Sequence, residues 1–338
     1  MMSKWIYTLF LLMLSCTAYS EPNFIPLSDC ESVLSIPNNT RQSYRLTQHI
    51  NCQGYTLEKP LIFSGHIDGQ NFTIAHLTIR SHQQNVGLFS LLNKAHIHNL
   101  KLSQFHVEFD TSDRQGAQQG HFIGLLAGSS YLSQLEHIEV SHSHIKKPIH
   151  TQEQISTELI APLIGLFYAS SAKDISSINN LIETHSSTVN AGGLFAEVYE
   201  SPNLSDFTVE EFKLQLEQDP SLTALHTLTL GGVAARIESS QVQDVTIRNT
   251  ELKTYSRQGR QGLLFGDVDS TWIRDVLITD TQLEPSPTEQ GVIGHMSCYD
   301  AIGSQCALEH IAVDNLHGLD WFQHSEWIET KKLVELLP

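Results

Sequence analysis

One six-residue pattern recurs along most of the chain and limits what it can fold into: apolar, any, His/Asn/Asp, apolar, any, apolar. It occurs at Ile74–Ile79 (IAHLTI), Ile97–Leu102 (IHNLKL), Leu135–Val140 (LEHIEV) and Leu204–Val209 (LSDFTV). It returns at Val242–Ile247 (VQDVTI), Ile273–Ile278 (IRDVLI) and Leu308–Val313 (LEHIAV). Ile175–Asn180 (ISSINN) reads as an eighth, decayed copy with Ser177 in the polar slot. Upstream of most copies stands a glycine followed by apolar residues: Gly87-Leu88-Phe89, Gly124-Leu125-Leu126, Gly165-Leu166-Phe167, Gly193-Leu194-Phe195 and Gly232-Val233-Ala234. Leu263 takes the glycine slot before Leu264-Phe265.

Each repeat thus holds two short strand-like runs separated by a turn, with almost no helical period. Such a unit cannot bury its apolar side alone; stacking on its neighbours makes the core continuous. The fold predicted is all-β, a right-handed parallel β-helix of about eight irregular coils with N- and C-terminal caps. At ~4.8 Å per coil it would be a rod of roughly 40 Å. The glycine is expected at a corner that needs positive φ or close backbone approach. Leu88, Leu125, Leu166, Leu194, Val233 and Leu264 would form an inward ladder, with Ala196 and Val198 also inward. The phenylalanines two after the glycine break this parity, and either a bend turns them inward or an insertion covers them.

The remaining segments set boundaries. Lys4, an apolar run from Trp5 to Leu14 and Ala18-Tyr19-Ser20 read as a signal peptide over 1–20. Cys16 after Leu14-Ser15 hints at a lipoprotein box, but Met13 leads it poorly, so simple cleavage is the preferred reading. Residues 21–60 form an N-terminal cap, 61–318 the repeats, and 319–338 a C-terminal cap whose Trp321, Phe322 and Trp327 lie among charges. A partner-docking tail is the other reading of that last segment. Beyond the leader, no stretch reaches the ~20 apolar residues of a membrane helix. Export is therefore expected, whether secreted, periplasmic or at the cell surface. Cys30, Cys52, Cys298 and Cys306 fall into two local pairs, and Cys30–Cys52 with Cys298–Cys306 is the simplest pairing. A four-thiolate zinc site is disfavoured because no Cys-x-x-Cys spacing exists.

The glycine-apolar-Phe starts and the Ile-x-Asn/Asp-apolar runs resemble the GLUG-motif repeats of bacterial secreted and surface proteins. The entry segment resembles them more specifically: Tyr44-Arg45-Leu46-Thr47, Ile50-Asn51-Cys52, Phe63-Ser64-Gly65-His66-Ile67-Asp68-Gly69 and Thr73-Ile74. The similarity spans roughly residues 44 to 313. It implies a β-helical, adhesin-like stalk or recognition module whose partner is a glycan or a host or cell-surface protein. The sequence departs from that family in its loose glycines and long insertions.

Residues that would support chemistry each have a plainer reading. The polar slots His76, Asn99, His137, Ser177, Asp206, Asp244, Asp275 and His310 would stack in a column, where a metal or proton relay competes with corner side chains bonding backbone groups. His142 and His144 share a face if they lie in a strand, but Lys146-Lys147-Pro148 beside them reads as an exposed insertion. Asp68-Gly69 is a turn signal, and Asn38-Asn39-Thr40 is a glycosylation sequon. Aligning Gly193, Gly232 and Leu263 stacks Glu197, Arg236 and Asp267 in one outward column, and Tyr199, Glu238 and Asp269 in another. Glu238 and Asp269 would then approach the ~5 Å of a retaining glycosidase pair; the alternative is a surface ladder of screened charges. Lys+Arg 20 against Asp+Glu 37 leaves a net charge of −17, which argues against nucleic acid. The preferred reading is a binding or structural module without catalysis, cofactor or metal. A β-helix polysaccharide lyase or glycoside hydrolase is the alternative.

Overall fold

The structure, a computed structural model, describes residues 23–109, 120–147, 157–184, 188–216, 227–253, 259–283, 289–291, 294–296 and 306–315. The segment 1–20 expected to be a leader, Cys298 and the segment 319–338 lie outside the described residues. What is described is all-β with parallel sheets, apart from one short helix, α1 (Cys30–Leu34). Asp29 caps α1, its carboxylate accepting from the Ser32 N–H at 2.8 Å.

Four strands make one turn of the chain. Thr188–Gly192 leads to Phe195–Tyr199, then Asn203–Glu210, then Lys213–Leu216. Each pairs in parallel with the strand holding the same place in the next turn. We name the resulting sheets D, B, A and C in that order. Sheet A carries the long strands, such as His96–Ser103 and Trp272–Thr279. Inward apolar side chains from all four sheets merge into one cluster. The polar edges of each turn are tied to the turns above and below, as repeat stacking requires.

The polar slot has a different cause from a corner. Along Asn203–Glu210, Leu204 is buried, Ser205 and Asp206 both face out, and Phe207 and Val209 are buried. A strand's two-residue alternation would put Phe207 outside. Asp206 resets it by adopting φ 60°, the left-handed region, so two outward residues follow one another. Asn99, His137, Asp174, Asp244, Asp275 and His310 do the same, with φ between 52° and 57°. Asn, Asp and His are enriched among the non-glycine residues that tolerate this region.

This register corrects two copies. Ile138 pairs with Ile175, so the slot of that turn is Asp174, and the decayed copy is Ala172–Ser177. Ile74 pairs with Leu102, so His76 belongs with Gln104, at the corner between sheets A and C. Six successive described turns have two further left-handed positions each. One is the sheet B to A corner (Lys94, Leu132, Ala169, Glu200, Ser239, Ser270); the other is the A to C corner (Gln104, His142, Asn179, Glu211, Asn249, Asp280).

Behind the B to A corner runs a buried hydroxyl ladder. The hydroxyls of Ser133, Ser170, Ser201 and Ser240 accept from backbone N–H groups of Ala95, Ser133, Ser170 and Ser201, at 3.0–3.3 Å. The same hydroxyls donate to the carbonyls two residues earlier. The backbone N–H groups freed by the bend are thereby satisfied.

Where sheet D bends into sheet B, Gly193 and Gly232 lack positive φ. A Cβ on Gly193 would strike the Gly232 carbonyl oxygen, and one on Gly232 that of Leu263, so close backbone approach is the reason for glycine. The bend turns both Leu194 and Phe195 inward, and Phe195 packs on Phe167 and Phe207. Ala196 instead joins Leu159, Ala161 and Phe122 in a small cluster separate from the core. The inward ladder is Leu88, Leu126, Leu163, Leu194, Val233 and Leu264, one residue before paired positions. Leu125 is buried but one position off, and Leu166 pairs with the outward Glu197. Gly165 misleads because the bend of that turn, Pro162-Leu163, has no glycine.

Candidate functional site

On sheet B the two expected columns form. Leu166, Glu197, Arg236, Asp267 and His295 stack through successive turns, and so do Tyr131, Tyr168, Tyr199, Glu238 and Asp269. Outward side chains of sheet D close on the first column. Asn190 donates to Glu197 Oε1 at 2.6 Å and Arg260 to Asp267 Oδ2 at 2.8 Å. Asp267 is 9% exposed and also meets His295 Nδ1 at 3.2 Å and Arg236 Nε at 3.8 Å. Burial and the adjacent Glu197 carboxylate, which accepts from its hydroxyl at 2.8 Å, push the Tyr199 phenol above its ordinary range. The Arg236 guanidinium lies 5.7 Å from the Tyr199 ring centroid.

The proposed carboxylate pair is engaged at both members. Glu238 accepts from Arg236 at 3.1 Å, and Asp269 accepts from the Ser270 hydroxyl at 3.0 Å. A retaining pair needs one acid held protonated by a poor environment for charge. Glu238 instead stands against the Arg236 guanidinium.

The outer face of sheet A is the second candidate. Its left-handed slots place Asp174, Asp206, Asp244 and Asp275 in an exposed column. His310 Nδ1 meets Asp275 at 2.9 Å, and His137 Nε2 lies 4.0 Å from Asp174. Beside the aspartates, Ser171 and Lys173, Asn203 and Ser205, and Gln241 and Gln243 border, with Glu136, a hollow of about 290 Å³ ending at Trp272.

His142 and His144 do not form a site together. His142 occupies a left-handed corner and is exposed, whereas His144 starts a strand and bonds Glu183 Oε2 at 2.8 Å. Nor is the neighbouring lysine pair an exposed insertion. Lys147 is buried, its Nζ 2.6 Å from Glu158 Oε1, and Thr184 donates to the other carboxylate oxygen at 3.2 Å.

A histidine group that the sequence reading missed lies on the third and fourth strands of sheet A, His66–Asp68 and His96–Ser103. His96 pairs with His66 and His98 with Asp68 across adjacent turns, making a square on one face. His66 and His96 stack at 4.8 Å, and the Nε2 atoms of His66 and His98 share a 2.7 Å hydrogen bond. Burial, then the neighbouring imidazoles, lower the His66 pKa; burial also lowers that of His98 against the pull of Asp68. Asp68 is buried, which raises its pKa, but hydrogen bonds from Gln70 and the approach of His98 bring it below the ordinary value. Arg45 holds it at 3.2 Å. The His-x-His run at 96–98 was the available signal, and its partner two positions before Asp68 needed the register. Among the described residues no group of three or more His, Cys, Asp or Glu is placed to hold a metal ion.

Cys30 and Cys52 form a disulfide with Cα atoms 5.2 Å apart. Cys306 is also disulfide-bonded, and the other member of its expected pair, Cys298, is outside the described residues. No described helix is long and apolar enough to cross a membrane.

The fold and its outer faces define an all-β chain of stacked parallel turns with polar columns. No protein-family model matches the chain, and no curated protein does. Among solved structures it is similar to a crystal structure from Bacteroides ovatus named a "putative immunoglobulin A1 protease". The identity is 12%, over 87% of this chain and 84% of that one, with a TM-score of 0.48.

Proposed function

We propose that the chain is an exported, GLUG-like, right-handed parallel β-helix of about eight coils, capped at both ends, which binds or spaces rather than catalyses. Right-handedness follows from the strong preference of parallel crossovers. The observation that carries the reading is the mutual engagement of the outward charges. Arg236 holds Glu238, Arg260 and His295 hold Asp267, and Asn190 and Tyr199 hold Glu197. Such cross-links fit a rod whose work is to keep a surface in shape. The Cys30–Cys52 disulfide supports an oxidising compartment, in keeping with the leader-like N-terminus. The partner is a glycan or a host or cell-surface protein; the acidic balance opposes nucleic acid.

The test pairs turnover with binding. The purified protein is incubated with a glycan panel, with and without calcium, and reducing ends and unsaturated products are followed. Retention on the same glycans and on surface proteins is measured in parallel. Retention without product is expected. Product from the parent, lost in a folded Glu238→Gln/Asp269→Asn double variant, would make the protein an enzyme.

A further inference from the structure

We infer that the hollow on the outer face of sheet A is a binding trough for a neutral saccharide chain, with Trp272 as its stacking wall. The inference rests on the binding-module reading and assigns it a face and a ligand class. Its geometry comes from side-chain length. In one outward column the turns carry Ser171, Asn203, Gln241 and then Trp272. In the column beside it, Ser205 and Gln243 follow one another. The short side chains of Ser171, Asn203 and Ser205, with an indole at one end, leave the depression of about 290 Å³. With the turns ~4.8 Å apart, the stretch from the Glu136 strand to the Trp272 strand spans roughly 19 Å, room for an oligosaccharide rather than a single sugar.

The lining chemistry selects the ligand. Ser171, Asn203 and Gln241 line it with hydroxyl and amide groups, which suit sugar hydroxyls, while Ser205 and Gln243 are bonded to Asp206, Asp244 and Arg274. An indole supplies a flat apolar face for the C–H side of a pyranose. Trp272 is held in advance: the Arg274 guanidinium lies 5.0 Å from its ring, and Arg274 Nε donates to Gln243 Oε1 at 2.8 Å. A wall fixed before binding loses little entropy on contact.

Charge decides between neutral and acidic glycans. The neighbouring column is Asp174, Asp206, Asp244 and Asp275, and within the trough Lys173 and Glu136 offset one another. A carboxylated or sulfated chain laid in the trough would run alongside these carboxylates, of which only Asp275 has the Arg274 guanidinium beside it, at 3.8 Å.

The test uses the full chain on an array of neutral oligosaccharides (glucans, mannans, xylans) with polygalacturonate and heparin as acidic probes. Calorimetry on the best neutral ligand follows, for the parent, Trp272→Ala and Ser205→Arg. Ser205→Arg fills the trough from an outward position and carries the test if Trp272→Ala unfolds. Binding of a neutral oligosaccharide, weakened about tenfold or more in the variants at unchanged unfolding midpoint, is expected. Equal binding by parent and variants would overturn the trough while leaving the binding module standing. Retention of acidic glycans or a protein alone, or of no glycan, would overturn the neutral-saccharide assignment. Cleavage of a glycan would overturn the non-catalytic reading itself.

Discussion

Asp206, at φ 60°, shows how one backbone conformation shapes the sequence. The left-handed region costs an ordinary L-residue roughly 1–2 kcal/mol, and a short polar side chain that bonds locally reduces that cost. The Asp206 carboxylate accepts from the Ser205 hydroxyl at 2.9 Å. A β-branched residue has no such relief. Asp206→Val is therefore expected to destabilise by about 1–2 kcal/mol, and Asp206→Asn by less than about 0.5 kcal/mol. Urea unfolding midpoints of the two variants against the parent decide it, and equal midpoints would remove backbone strain as the reason for the slot. The corner positions share the left-handed conformation without that preference for short polar residues. Leu132 and Ala169 sit in the left-handed region too, so residue type there carries no signal, and the serine that follows each would have been the better clue.

Between elements, the strands His144–Lys146 and Thr157–Ile160 flank a connection and are joined by Lys147 and Glu158. Two charges at 7% and 0% exposure are a costly arrangement unless each satisfies the other. Lys147→Met leaves the Glu158 carboxylate buried without its cation and should cost about 3–5 kcal/mol. Lys147→Met with Glu158→Leu should recover most of the loss, because an apolar pair avoids desolvation altogether. The double-mutant cycle, read by chemical denaturation, tests this; a double variant as unstable as the single one would show that Thr184 and its surroundings require the acid. In the sequence, Lys146-Lys147-Pro148 before a polar stretch looked solvated. Nothing local announces that Glu158, eleven residues on, turns inward to meet the second lysine.

For the molecule as a whole, the histidine square ties the strands His66–Asp68 and His96–Ser103 of sheet A together and makes stability depend on pH. The folded pKa values of His66 and His98 lie below the unfolded value of about 6.5. The unfolded chain therefore binds more protons in that window. Stability is complete above about pH 6.5 and is lost as the pH falls through the folded values. Asp68, also lowered, adds a loss of the same sign only at more acid pH. The unfolding midpoint should fall between about pH 7.5 and 5, and a His66→Gln/His98→Gln variant should show a shallower fall. His144, lowered by burial, keeps some slope in the variant. A parent midpoint flat over this range would rule the account out. The Cys30–Cys52 link spans 22 residues of the same end and holds the chain there against fraying.

The sequence alone determined that the chain is all-β and repetitive, because spacing of three then two apolar positions is a local property of each strand. It also determined the columns at Glu197, Arg236 and Asp267, since three turns there share one loop-free alignment from Gly193, Gly232 and Leu263. Tertiary structure decided the register wherever that landmark was missing. Gly165 and Ser177 carried their turn out of phase, and only pairing with the turns on either side assigns Leu163 and Asp174. It also decided which polar groups meet. Lys147 with Glu158, and His66 with His98, lie on different strands separated by connections of unequal length. A local pattern fixes which way a side chain points within its own strand, whereas its neighbour across the stack depends on every insertion in between.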